Sequence, residues 1–505
     1  MHSIMSFMIS DWSMLRRIKD KASWKLRWLF PNHFINPSEQ EYSFESDKQV
    51  NEETKPDESE EPAVQVVWGA EVYGPAEAEA LCLNLARLRW VAGGGLSKRK
   101  TAAEWVREQS LYGGGGWYNV GVVTNPKERD RFILPCNYME LPAGVDYLKV
   151  EVSQLTPALT CVVVGFVLSD LLQKSYAENL RKEIPGRYFR SSRRLIGRYS
   201  PRDLKRIHIE RSREDLRGIA QSWFKKNLPG FFCGSNVSCL PTAELVSTNF
   251  TSLFPDARSQ LSWQNTIVSA PAGEVWSAKL GKGIKFSHYS NSKREGQFHM
   301  IAAMCKGEVD AEVLRYYGDG VGKYIYHAAE MLSETISNFA VLAYLTETLK
   351  NLKVSRSSLQ LTGIARNKQI SVLEEIQVFF DRSLGAPLIA SELKGKARYP
   401  IDFTYRSGDY SAPHWGQKGN RSLGQFFCNA IKDMSERILA EEHSLREHFE
   451  QLANIISIRE SMKAQRKTEV LTVLAVLIAA VSMVITALQS STWVSEVKGV
   501  LGVIL

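Results

Sequence analysis

Hydrophobic and polar residues divide the chain into stretches of different period. Between residues 63 and 306, short β-branched and aromatic runs alternate with helical periods. They predict strands at 64–72, 117–123, 147–155 and 159–168, and helices at 76–91 and 169–183. The run Cys161-Val162-Val163-Val164-Gly165-Phe166-Val167-Leu168 is apolar throughout and bounded by Thr156-Pro157 and Asp170. It reads as a central strand and not a membrane span. Gly93 to Gly95 and Gly113 to Gly116 predict flexible connections, and Leu280-Gly281-Lys282-Gly283 a hairpin turn between 274–279 and 284–288.

After Asp310 the period changes. Val321, Ile325, Ala328, Leu332, Ile336, Phe339 and Leu342 recur every three or four positions, which predicts a long amphipathic helix. A second helix is expected at 357–382, followed by a connection carrying Pro387, Pro400, Pro413 and Gly416. A last helix begins near Asn420 and carries Ile431, Met434, Ile438, Leu445, Leu452, Ile455 and Met462 at coiled-coil-like steps, interrupted by Glu441, His448 and Arg459. No Pro or Gly lies between Gln425 and Leu488, so this stalk is expected to continue unbroken into residues 470–488.

Those nineteen residues contain no charge, Pro or Gly. At about 1.5 Å each they reach about 28 Å, close to the thickness of a bilayer core. Thr472, Ser482 and Thr486 can donate their hydroxyl hydrogens to carbonyls one turn back and so cost little in lipid. The competing reading, a buried core helix, needs partners on every face. Arg459, Lys463, Arg466 and Lys467 precede the span, whereas Lys498 and Glu496 follow it. The positive-inside rule then places the N-terminal body in the cytoplasm, against an inner or plasma membrane. Residues 489–505 form a short hydrophobic tail with Trp493, either an interfacial helix or a partial second pass.

At the other end, residues 1–36 mix Trp12, Leu15, Ile18, Trp24 and Trp28 with Arg16, Arg17, Lys19, Lys21, Lys25 and Arg27, a composition suited to an anionic membrane surface. Asp11 interrupts the first apolar run, so no signal peptide is expected. Residues 37–62 hold ten acidic residues against Lys48 and Lys55 and read as an acidic flexible linker. The expected architecture is an α+β cytosolic domain (63–306), a mainly helical region (307–419), a stalk helix (420–469) and a C-terminal transmembrane helix (470–488).

Charge changes this picture at one place. The net charge of +8 is modest for 505 residues, but 187–217 holds eleven Arg and Lys against four acidic residues. Arg187, Arg190, Arg193, Arg194, Arg198, Arg202, Lys205 and Arg206, interleaved with Tyr188, Phe189 and Tyr199, form a candidate anion-binding segment for nucleic acid, a nucleotide or lipid headgroups. The alternative is a solvated helix face with internal ion pairs, since Asp203, Glu210 and Glu214 fall three to four residues from arginines.

Candidate chemistry beyond this is sparse. Seven scattered cysteines, an odd number, predict reduced thiols, and Cys233 and Cys239 lack a second pair at zinc spacing, so no metal site is expected. Gly318-Asp319-Gly320-Val321-Gly322-Lys323 departs from a phosphate loop because Tyr324 stands where Ser or Thr would hold magnesium and Tyr317 where the first Gly should be. The histidines are dispersed, and neither a Gly-x-Ser-x-Gly elbow nor a kinase motif set is present. No catalytic residue or cofactor is assigned.

From Asn420 onward the layout resembles that of CorA-type magnesium channels, which implies divalent cation transport. The family's Gly-Met-Asn after the first span is replaced here by Gln489-Ser490-Ser491-Thr492-Trp493. The leading expectation is a non-enzymatic sensor, effector or scaffold that couples a ligand-binding cytosolic domain to a membrane helix. Its expected partners are the bilayer, an anionic ligand and further copies of itself through the stalk. The alternatives are a membrane-tethered enzyme acting on nucleic acid or nucleotides and a divergent CorA-like transporter.

Overall fold

The computed structural model describes residues 25–26, 28–29, 37–92, 100–112, 115–131, 136–190, 196–234, 239–254, 262–269, 274–279, 283–289, 298–309, 312, 315, 321–362, 385–398, 409–413 and 419–501. The chain forms two compact units, one of Met1–Lys350 with Leu384–Leu439 and one of Asn351–Ser383 with Ala440–Leu505.

The first unit is built on a mixed sheet. Its strands are β1 (Ala63–Tyr73), β2 (Gly116–Thr124), β3 (Asn137–Tyr138), β4 (Val145–Thr156) and β5 (Leu159–Leu168). A separate hairpin, β6 (Arg187–Arg190) and β7 (Ile196–Tyr199), follows, and the main sheet resumes with β8 (Thr242–Thr248), β9 (Val275–Ala278), β10 (Ile284–Tyr289) and β11 (His299–Cys305). β12 (Tyr410–Pro413) and β13 (Asn420–Ser422) complete it. Among the described residues the order is β13-β12-β9-β10-β11-β8-β1-β5-β4-β2-β3. β5 lies between β1 and β4 with every residue buried, as its unbroken apolar run predicts. The expected hairpin at 274–288 is the antiparallel pair β9–β10. β8 and β11 run parallel, with His299 beside Thr242 and Ile301 beside Glu244.

Helices of the first unit lie on both faces of the sheet. In chain order the longer helices of the chain are α1 (Pro37–Glu53), α2 (Ala78–Leu88), α3 (Ala102–Tyr112), α4 (Ser175–Arg181), α5 (Pro201–Asn227), α6 (Val321–Thr362), α7 (Gly385–Lys396) and α8 (Leu423–Leu501). One face packs α5, through Ile209 and Leu216, on Val246, Ile301 and Ala303 in a single apolar cluster. Gly69 of β1 allows this close approach, because a Cβ there would meet Leu240 at 2.9 Å and Ala220 at 3.2 Å. On the other face, Phe339 of α6 meets Phe286 edge-on at 6.2 Å and Phe427 of α8 at 4.9 Å.

Several expectations are corrected here. Residues 37–53, read as linker, form α1. Two carboxylates of the stretch 37–62 acquire partners distant in sequence: Asp47 accepts from the Gly186 amide at 2.7 Å and pairs with Arg198. Glu60 accepts from the amides of Asn249, Phe250 and Thr251 at 2.6–2.9 Å. Charge density favours disorder only while the charges lack partners, and these have charge-assisted ones. The sheet does not stop at 306, because β12 pairs with β9 and β13 with β12. Strands of three or four residues in a Pro- and Gly-rich region carry no periodic pattern to read. The helix expected at 169–183 is split into Asp170–Gln173 and α4 around Lys174. The last helix starts after β13, at Leu423. The helix expected at 357–382 lies mostly outside the described residues, since α6 is described to Thr362.

In the second unit, Arg356 of α6 pairs with Glu441 of α8 at 2.7 Å. α8 is assigned as one helix from Leu423 to Leu501, with no break before 470 or after 488. Its most apolar part is long and apolar enough to cross a membrane, and none of that window is buried.

Candidate functional site

The basic segment separates into two structures. Ser200 caps α5 by accepting from the Asp203 amide while Asp203 returns a bond to the Ser200 amide, and Pro201 occupies the first turn. α5 therefore begins in the middle of the charge run, and its inward stripe includes Lys205, Ile209, Arg213, Leu216 and Ala220 at three- to four-residue steps. Two of those inward positions are cationic.

Arg213 is 1% exposed and lies against Glu244 of β8, also 1% exposed. Its Nε donates to both Glu244 carboxylate oxygens at 3.0 Å and its Nη2 to Oε1 at 2.8 Å. Arg213 also donates to Glu210 at 2.8 Å and to the Ile267 carbonyl at 3.2 Å, and Glu210 in turn accepts from Arg217 at 3.1 Å. Tyr176 donates its hydroxyl to Glu244 at 2.8 Å. Two guanidinium groups and two carboxylates thus balance in a quartet of which Arg213 and Glu244 are buried and Glu210 and Arg217 half-buried. Although burial opposes ionisation, the Arg213 charge holds the Glu244 carboxyl far below the usual carboxylate range.

His299 of β11 joins this quartet without adding charge. Its Nε2 lies 3.4 Å from Glu244 Oε2 and its Nδ1 2.8 Å from Thr242 Oγ1. A carboxylate can only accept, so the tautomer with the proton on Nε2 fits, with Thr242 donating to Nδ1. Burial lowers the His299 pKa and keeps the ring neutral. Above this floor lies a cleft of about 200 Å³ between α5 and the starts of β8 and β11. Glu214, Arg217 and Gly218 line its helical wall, and Leu240, Phe298 and His299 its other side.

The sequence-predicted anion residues fall in different places. Arg187 and Arg190 are exposed on the hairpin, and Arg190 stands over the Trp28 ring at 5.2 Å. Arg198 is turned inward to Asp47, with its guanidinium 5.6 Å from the Tyr188 ring centre. Arg202 and Arg206 lie on the first turns of α5, where Arg206 pairs with Asp203 at 3.6 Å. Lys205 is buried and donates to Thr54 at 3.0 Å, so it stands apart from the exposed arginines, and burial lowers it to about 8. Arg193 and Arg194 lie outside the described residues, as do Gly318, Asp319 and Gly320. Phe189, opposite Gly197, stacks on Tyr199 at 4.2 Å on the hairpin face that also carries Arg187. Sequence reasoning missed Glu244 and His299. Their signal was a Glu and a His inside otherwise apolar strand windows, Thr-Ala-Glu-Leu-Val and His-Met-Ile-Ala-Ala.

A second buried acid, Glu71 of β1, accepts from the amides of Val72, Phe232 and Cys233 at 2.8–3.0 Å. Those bonds favour its ionised form, yet burial dominates and raises it to about 7. Among the described residues no group of three or more His, Cys, Asp or Glu is placed to hold a metal ion. No protein-family model, curated protein or solved structure matches the chain.

Two outcomes follow from these buried groups. Arg213→Met leaves Glu244 without its counter-charge and should destabilise the first unit by about 3–5 kcal/mol. In the Arg213→Met/Glu244→Leu double variant most of that loss should return, and equal losses in both, measured by denaturant unfolding, would deny that the charges act as a pair. The folded Glu71 pKa of about 7 is above the ordinary 4.5, so the native state binds the extra proton. Its contribution is present in full below pH 4.5 and is lost as pH rises through 7. Glu71→Gln should therefore flatten stability against pH between those values, and an unchanged slope would refute this.

Proposed function

We propose that this protein is a membrane-anchored, cytosol-facing sensor or effector in which a ligand-binding α+β unit is coupled to a single membrane helix. The observation that carries the reading is α8. Its first turns are core residues of the sheet unit, with Leu423, Phe427, Ile431 and Ile438 each fully buried. The same helix continues into 470–488, where twelve large apolar side chains are 49–73% exposed. Thr472 and Thr486 donate their hydroxyls to the carbonyls of Thr468 and Ser482 at 2.8 Å, the arrangement that makes hydroxyls tolerable in lipid. Arg459, Lys463, Arg466 and Lys467 on the N-terminal side support the N-in orientation. A helix without a Pro or Gly breaker between core and span suits transmission of rotation or self-association as well as tethering.

Binding of the hairpin to an anionic bilayer surface is a second reading, favoured by the Trp28–Arg190 contact. That contact joins Trp28 of the basic N-terminal segment to the exposed Arg190, with Leu26 and Leu29 exposed beside Trp28 in sequence, while Arg187 is exposed on the other face of the hairpin. Basic and apolar side chains on one surface are what headgroups and the acyl boundary take together.

Full-length protein should remain in membranes through alkaline carbonate extraction, and a chain ending at Lys467 should be released while keeping a folded sheet unit. Retention of the truncated chain in the carbonate-washed pellet would sink the anchor. For the second reading, Arg187→Gln/Arg190→Gln in the anchorless chain should weaken binding to phosphatidylserine vesicles by about 2 kcal/mol, roughly 30-fold. Unaltered affinity and salt dependence would discount the hairpin.

A further inference from the structure

We infer that α1 is an acidic strap lying on one face of the β6–β7 hairpin, and that an anionic bilayer surface displaces it. The inference rests on the second reading above, binding of the hairpin to anionic lipid, and adds its regulation.

The two faces of the hairpin differ in what meets them. Side chains alternate along a strand, so the pairing of Tyr188 with Arg198 and of Arg190 with Ile196 puts these four on one face. The chain's own N-terminal part meets that face twice: Trp28 lies under Arg190 at 5.2 Å, and Asp47 of α1 pairs with Arg198. On the opposite face Arg187 and Tyr199 are exposed.

A displaceable strap needs contacts that water or another anion can replace, and those of α1 are of that kind. Among its described side chains Asp47 is the one that is buried, and none belongs to the apolar cluster under α5. Asp47 and Asn51, one turn apart, reach the main chain that leads into the hairpin. Asp47 accepts from the Gly186 amide at 2.7 Å, and Asn51 exchanges two bonds with Ile184, at 3.0 and 3.3 Å. Thr54, just past the helix, accepts from Lys205 at 3.0 Å. Polar attachments of this sort carry little of the hydrophobic term that makes core docking hard to reverse.

Charge supplies the displacing force. α1 holds six acidic residues against one Lys. An anionic bilayer therefore repels α1 while attracting the arginines beneath it, and both effects favour release. Release returns Arg198 to the Arg187 and Arg190 already displayed, so the hairpin gains positive charge where anionic lipid is present. Gly186 sits at the closing point. A Cβ there would meet Arg198 Nη2 at 2.6 Å and Asp47 Oδ1 at 3.0 Å, so the pair closes on the main chain only where a side chain is absent.

The test uses full-length protein in nanodiscs of phosphatidylcholine, alone or with phosphatidylserine, with hydrogen exchange followed over residues 45–54 and over β6 and β7. With phosphatidylserine, residues 45–54 should exchange about tenfold faster while β6 and β7 gain protection. In phosphatidylcholine alone, Gly186→Ala adds no charge but should wedge the pair apart and open residues 45–54 to a similar degree, as should Asp47→Asn. Glu45→Gln removes the same charge from an exposed position of α1 and should leave exchange as in the wild type, which separates release from a change in net charge. Protection of the hairpin by phosphatidylserine with residues 45–54 still closed would overturn the strap and leave lipid binding standing. The strap would also fall if Gly186→Ala and Asp47→Asn were as closed as the wild type. No response of either segment to phosphatidylserine would remove the lipid reading, and the regulation with it.

Discussion

The bidentate pair between Arg213 and Glu244 is the constraint on which the α5 side of the sheet unit depends. An isolated buried charge costs several kcal/mol, so neither residue is stable there without the other. The pair fixes both the rotation of α5 and its height over β8, because a guanidinium meets a carboxylate with two bonds in only a narrow range of geometries. Tyr176 and Glu210 then occupy the remaining hydrogen-bonding positions. Ion pairs of this kind are poor sources of net stability compared with apolar packing of similar volume. Specification of a unique arrangement is the better account of why one occupies the middle of the Ile209, Leu216 and Val246 cluster.

That arrangement determines the character of the cleft. With Arg213 and Glu244 neutralising each other, His299 has no net charge to respond to and burial keeps it uncharged. Arg217, steadied by Glu210, is one step removed from the core and borders the cleft together with Glu214. The cleft therefore has polar walls of both signs over a neutral floor, unlike the hairpin, whose exposed Arg187 and Arg190 present positive charge alone. The basic segment 187–217 serves two ends. Its first part is displayed on a hairpin, and its second part is folded inward to lock a helix to the sheet.

Legibility in the sequence followed the length and regularity of each pattern. β1, β4 and β5 are long and β-branched, and their expected spans agree with the observed ones to within a few residues. The three-and-four spacing from Val321 to Leu342 likewise falls within α6. What composition could not show was which charges acquire partners distant in sequence. Asp47 and Arg198 are 151 positions apart, Glu60 and Thr251 191, and Arg213 and Glu244 31. The acid-rich stretch read as a linker yielded to contacts that only the folded chain creates, whereas internal ion pairs expected on the basic helix face are present at Arg206–Asp203 and Arg213–Glu210. The edge strands β12 and β13 were hidden for a different reason, being too short for a period of two to register.

The exposed apolar stretch of α8 can be weighed in energy. Twelve large apolar residues between Val470 and Leu488 are 49–73% exposed. Leaving them in water forgoes on the order of 10 kcal/mol of hydrophobic stabilisation, comparable with the whole ~5–15 kcal/mol that holds a typical domain together. Something therefore has to cover them. A second copy packed along the helix covers one stripe, as a coiled coil does, and the remaining faces of the stretch are just as apolar. Lipid covers every face at once, at a length that matches a bilayer core. Before Val470 the balance reverses: from Arg459 to Glu469 charged residues recur among the exposed positions, and among the described residues from 450 to 469 the exposed large apolar side chains are Ile455, Ile458 and Met462.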